Sequence, residues 1–200
     1  TPNDNLVEMI QNLKPKQVIY DGEVVVAFRA TETQSEIDFE AFEPLFYPAS
    51  TLSVKNSWAI FQHNGAAIEA DFDLITKNRT SQPIPEKVVS FNESQIFIEE
   101  GAQLPLCVLN ATNGPIYIGK DTEIMEGCMI RGPFALCENS ILKMSTKIYG
   151  PTTIGPHSKV GGEINNAVFF GYSSKAHDGF LGNSVIGEWC NLGADTNTSN

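Results

Sequence analysis

Of the three histidines, at 63, 157 and 177, His177 stands in the setting best suited to chemistry: Ser174-Lys175-Ala176-His177-Asp178-Gly179-Phe180-Leu181-Gly182-Asn183. An imidazole exchanges a proton near neutral pH, which suits a general base that relieves an attacking amine of its proton during acyl transfer to nitrogen. An amine that attacks a thioester directly needs no serine or cysteine nucleophile. The alternative is a histidine that only caps a coil or bonds a backbone carbonyl. His157 follows Ile154-Gly155-Pro156 and reads as an exposed corner residue, and His63 lies in a helical stretch without chemistry. Asp71 and Asp73 flank Phe72 in the way a metal-binding pair would, but alternating acids beside apolar residues more commonly mark a solvated face. Cys107, Cys128, Cys137 and Cys190 have no C-x-x-C spacing, so they read as buried free thiols rather than disulfides or a zinc site.

The elements that must position His177 announce themselves by period. Ile118, Ile124, Ile130, Leu136, Leu142, Ile148, Ile154 and Val160 stand six apart without a break. Neither a helix nor a lone strand repeats every six residues, whereas stacked short strands joined by tight corners do. Two residues before these aliphatics runs a row of small residues, Thr122, Cys128, Ser140, Thr146, Thr152 and Ser158, with Ile116 and Phe134 as bulky exceptions. Such a pattern predicts a parallel β-helix in which each hexad is one strand and one bend, with the aliphatic inside. Ile98 and Leu104 are six apart in another phase. After Val160 the frame slips, with Asn166 where an aliphatic was due, and it resumes at Leu181, Ile186 and Leu192. Residues 160 to 181 therefore read as a distorted or looped-out coil, the kind of interruption where function tends to sit.

Ahead of the repeat the pattern is α+β. Asp4 or Asn5 can cap a helix over Leu6 to Leu13, and Asp21-Gly22 reads as a hairpin turn between two apolar runs. Glu36 to Leu45 reads as a second helix and Ser57 to Ala70 as a third. The proline-containing stretch from Arg79 to Lys87 marks a linker, giving an α+β segment over 1–85 and a β-helix domain over 86–200. A start at Thr1 and a stop at Asn200 inside a repeat point to a piece of a longer chain.

Net charge of −11 argues against a partner with a phosphate backbone, so no nucleic-acid partner is expected, and an anionic substrate must meet a local basic patch. No run approaches the length of a membrane span, and the first residues lack a secretory pattern, so no membrane association and a cytoplasmic location are expected.

The repeat resembles the hexapeptide-repeat, left-handed β-helix acyltransferases. More narrowly, the flank of His177, the run Ile186-Gly187-Glu188-Trp189-Cys190-Asn191-Leu192-Gly193-Ala194 and the terminal Gly193-Ala194-Asp195-Thr196-Asn197-Thr198-Ser199-Asn200 resemble the GlmU-like bifunctional sugar nucleotidyltransferase/acetyltransferase family, in a divergent form. The resemblance implies a mainly β fold, a left-handed parallel β-helix preceded by a small α+β segment that is the C-terminal part of a nucleotidyltransferase-like domain. It implies acetyl-coenzyme A as cofactor, a glucosamine-1-phosphate-like sugar phosphate as substrate, a role in UDP-N-acetylglucosamine formation, and a homotrimer. It also implies the roles of individual residues. His177 would be the catalytic base, Glu163 would hold the amine, and Asn200 would orient substrate or imidazole. Asn191, Phe180, Lys175 and Asn165 would contact the substrate, and Ala194 would lie beside the coenzyme thioester. No metal ligand is assigned; Mg2+ would serve only a nucleotidyltransferase half not contained in these residues. The family's arginine-lysine grip on the sugar phosphate is missing beside Glu163, where the chain reads Ile164-Asn165-Asn166, with Tyr149 near the arginine's place. Lys143, Lys147, Lys159 and Lys175 are the nearby cations that this leaves. The competing reading is a non-catalytic β-helix that serves trimerisation or regulation.

Overall fold

The structure, a computed structural model, describes residues 3–33 and 36–198. Two compact units divide the chain, Thr1–Ser53 and Val54–Asn200. In the first, α1 (Asp4–Gln11) is capped by Asn3, whose Oδ1 accepts from the Leu6 N–H at 3.0 Å. The cap thus sits one residue before the pair expected from sequence. Strands β1 (Gln17–Asp21) and β2 (Val24–Arg29) form the expected hairpin around Gly22, whose φ of +59° suits glycine. The stretch expected as a helix over 36–45 is instead a short 3-10 turn at Phe39–Ala41 followed by β3 (Glu43–Phe46), which pairs parallel with β1. Pro44 lacks the N–H that a helix there would need. Phe39 and Phe42 instead pack edge-on against Phe28 of β2, with ring centroids 5.2 and 6.0 Å away.

The second unit opens with α2 (Ser57–Thr76) and then winds into a parallel β-solenoid of about five turns. Its strands come in the order β4 (Val89–Phe91), β5 (Ile96–Ile98), β6 (Cys107–Asn110), β7 (Ile116–Ile118), β8 (Glu123–Ile124), β9 (Cys128–Arg131), β10 (Phe134–Leu136) and β11 (Ile141–Leu142). They continue as β12 (Lys147–Tyr149), β13 (Thr152–Ile154), β14 (Lys159–Val160), β15 (Glu163–Phe169), β16 (Ser174–Lys175) and β17 (Phe180–Ile186). Three faces result. The first stacks β4, β6, β9, β12 and the starts of β15 and β17; the second stacks β5, β7, β10, β13 and the ends of β15 and β17; the third stacks β8, β11, β14 and β16. Helix α2 packs over the second face, where Thr153 Oγ1 donates to Asn64 Oδ1 at 2.7 Å.

All eight aliphatics of the six-residue row are buried in the solenoid interior. Full burial of one such side chain contributes roughly 1.5–3 kcal/mol, which a single rung could not gather alone. The small row is buried beside it, and its hydroxyls donate to corner carbonyls: Thr122 to Gly119 at 2.8 Å, Ser140 to Gly155 at 2.9 Å, Thr146 to Lys143 at 2.6 Å. Small polar residues are needed there because a corner leaves carbonyls that no ladder pairs. Ile98 also joins the main interior column, opposite Ile118, because the insertion between the two changes the phase and not the register.

Residues 160 to 181 are not looped out. They complete a shortened rung in full register: Ile148 pairs with Ile164 and Ile164 with Leu181, Ile154 with Phe169 and Phe169 with Ile186, and Val160 with Lys175. The frame slips because the corner between the third and first faces shrinks to Gly161-Gly162, so the next interior residue is Ile164. Both glycines are required by close approach. A Cβ on Gly161 would fall 2.4 Å from the Ala176 carbonyl oxygen, and one on Gly162 would fall 2.6 Å from that of Gly179.

Candidate functional site

His177 projects from the corner directly above that two-glycine step. The Ala176–Gly179 corner holds four residues between β16 and β17, as does Lys143–Thr146 between β11 and β12 in the regular rungs. The tight corner beneath leaves the longer one overhanging. His177 is exposed, and no hydrogen bond, ion pair or ring contact engages its imidazole among the described residues. The overhang is tied down by its neighbours: the Asp195 N–H donates to Asp178 O at 3.1 Å and the Glu163 N–H to Gly179 O at 3.2 Å. The first of these bonds stacks Ala194 and Asp195 over His177 and Asp178. Ala194 is exposed, and its N–H has no partner among the described residues.

Past this corner the chain enters the first face, where three further expected residues come together. Outward-facing positions form one column of Met129, Lys147, Glu163 and Phe180, and a second in which Tyr149 pairs with Asn165 and Asn165 with Gly182. Lys147 Nζ stands 3.9 Å from Glu163 Oε2, both side chains partly open to solvent, so the contact is a loose one of small energy. Arg131 lies exposed on the same face, beside a recess of about 150 Å³ that Met129, Lys147, Ile148 and Tyr149 also line. Arg131 is a cation on this face that the sequence reading does not single out. The signal was there, because regular rungs are 18 residues long and Arg131 precedes Tyr149 by that interval.

The remaining expected residues separate. Asn191 is exposed on the third face, bridged to Ser174, so it lies across the corner from Glu163. Lys159 is on that face too. Asn200 lies outside the described residues. Lys175 is the clear correction: only 1% of it is exposed, and its ammonium donates to Gly161 O at 3.0 Å and His177 O at 2.7 Å. It fills an aliphatic slot of the interior and cannot serve as a surface cation for a phosphate.

Burial also governs the thiols. It pushes Cys107 up to about 12 and Cys137 up to about 11, and raises Cys128 as well, so all three stay protonated and unreactive near neutral pH. Among the described residues no three His, Cys, Asp or Glu side chains group closely enough to hold a metal ion. No helix there is long and apolar enough to cross a membrane.

Comparison with known families places one segment. The model of a family described as sugar nucleotidyl transferase matches residues 1–80, a span that covers the first compact unit and continues through α2. The chain therefore joins a segment similar to a transferase family to a parallel β-solenoid that carries an exposed histidine whose imidazole has no partner among the described residues.

Proposed function

We propose that residues 86–200 form an acetyl-coenzyme A-dependent N-acetyltransferase domain acting on an amino-sugar phosphate of the glucosamine 1-phosphate kind. The observation that carries this reading is the free imidazole of His177 on an overhanging corner, next to a face that offers one carboxylate and two cations. The match of residues 1–80 to sugar nucleotidyl transferases supports a sugar phosphate as the class of acceptor.

Acetyl-coenzyme A would supply the acyl group as a thioester. His177 takes the proton that the sugar amine sheds as the carbon–nitrogen bond forms, and returns it to the sulfur as the carbon–sulfur bond breaks. Glu163 accepts a hydrogen bond from the amine and so fixes its position. Arg131 and Lys147, on the same face, neutralise the phosphate in the place of the family's arginine-lysine pair; an arginine fork suits phosphate oxygens especially well. The open N–H of Ala194 suits the oxyanion that develops on the thioester carbonyl. Asn165 and Phe180 bound the sugar on the first face, and Asn191 serves from the third. Exposed Phe91, Met129 and Tyr149 give the first face apolar surface of the kind a neighbouring copy would cover, which fits a homotrimer.

The test is thiol release from acetyl-coenzyme A. Glucosamine 1-phosphate should stimulate it, and glucosamine should do so far less. Arg131→Ala should raise KM for the phosphate-bearing acceptor by about tenfold or more, as expected for a lost charge-assisted contact. Release that no amino-sugar phosphate stimulates would refute the proposal.

A further inference from the structure

The third-face interior column runs Ile124, Leu142, Val160, Lys175, with Leu192 next along. A lysine there is anomalous. Every neighbour in the column is aliphatic, and an ammonium taken out of water is costly unless bonded. A leucine would fill the slot and would pack as its column neighbours do. The small residue two positions earlier, Ser173, keeps the regular pattern and donates to Gly187 O at 2.8 Å, so the rung itself does not call for a charge.

What the lysine adds is specific to one corner. Its Nζ bridges the carbonyl of Gly161, in the two-glycine step below, to the carbonyl of His177 in the overhang above, at 3.0 and 2.7 Å. This is the sole hydrogen bond made by any atom of His177 among the described residues. The equivalent corner in the regular rungs closes on itself, with the Thr146 N–H and Oγ1 both donating to Lys143 O. At the overhang the corresponding residue is Gly179, which has no hydroxyl to give.

We infer that Lys175 is a positioning residue: its buried ammonium clamps the main chain of His177 to the rung below and so fixes where the imidazole stands. This deepens the acetyl-transfer reading of His177 and rests on it. Burial lowers the lysine's pKa, while the carboxylates of Asp178 and Asp195 on the two stacked corners oppose that change. A side chain attached to a loosened corner reacts from the wrong place, and a displacement of about 1 Å can cost on the order of 100-fold in rate.

Lys175→Met and Lys175→Leu keep the length or the apolar character of the slot and remove the ammonium. Both should fold, with a melting temperature equal to or above that of the parent. For thiol release, kcat should fall about 10- to 100-fold with KM for the amino-sugar phosphate changed less than about twofold. Amide hydrogen exchange at residues 177–179 should quicken at least about tenfold while that at 143–146 stays the same. In the parent protein, the Lys175 ammonium should give a nitrogen–proton NMR signal protected from exchange with water. Parent-like kcat in both variants, unchanged exchange at 177–179, or an unprotected ammonium would each overturn the inference. His177→Ala is the control that separates the two ideas: parent-like turnover in that variant removes the base and not the clamp, which exchange and the ammonium signal judge independently.

Discussion

The rungs between Ile116 and Val160 and the rungs after Val160 use the same three faces to opposite ends. In the regular rungs each interior slot is aliphatic, and the third-to-first corner at Lys143–Thr146 closes through its own threonine. In the later rungs one corner shrinks to two glycines, the next overhangs it, and a lysine replaces an aliphatic to hold the overhang. Regularity there gives stability, and departure from it gives an exposed imidazole. The two parts remain one ladder, since Ile148, Ile164 and Leu181 continue a single column.

That contrast can be broken from either side. The largest stability effect is expected in the regular part, where Leu142→Ala opens a cavity in a fully buried column and should cost roughly 2–5 kcal/mol, read from a denaturant midpoint. Gly161→Ala attacks the step instead. Its Cβ would meet the Ala176 carbonyl oxygen at 2.4 Å, so stability should fall by about 1–3 kcal/mol, and exchange should quicken first in the 176–179 corner. The smallest effect is expected on the opposite corner, where His157, Tyr172 and Trp189 stack in parallel with centroids 4.9 and 4.7 Å apart. Trp189→Ala removes one exposed ring of that ladder and should cost only about 0.5–1.5 kcal/mol in the same unfolding experiment. A reversed order among these three would mean that the later rungs, and not the regular ones, hold the solenoid together.

The eight-residue row made the solenoid legible, because a period of six has no other common physical origin. Two features hid the rest. At Ile164 the spacing drops from six to four, which breaks the periodic reading although the register survives. At Lys175 a charged residue sits in an aliphatic slot, so hydropathy points it outward, yet stepping six back from Leu181 lands on it. The 36–45 stretch departs from its expected helix for a different reason: Ile37, Phe39, Phe42 and Leu45 fit a helical face, but aromatic packing on Phe28 and pairing with β1 outweigh that propensity. Within the site, the sequence named Glu163, Asn165, Phe180 and His177, which gather at one corner and the face beside it. It does not single out Arg131, one 18-residue rung before Tyr149 in the chain and beside it on the first face. It placed Lys175 on the wrong side of the wall.

The most direct test of the account is the rate of thiol release from acetyl-coenzyme A with glucosamine 1-phosphate, compared between the parent protein and His177→Ala. Loss of the general base should lower kcat by roughly 100-fold or more while melting temperature is unchanged, since the imidazole bonds nothing among the described residues. An undiminished kcat in a folded His177→Ala protein would contradict the claim that the overhanging corner exists to present a base.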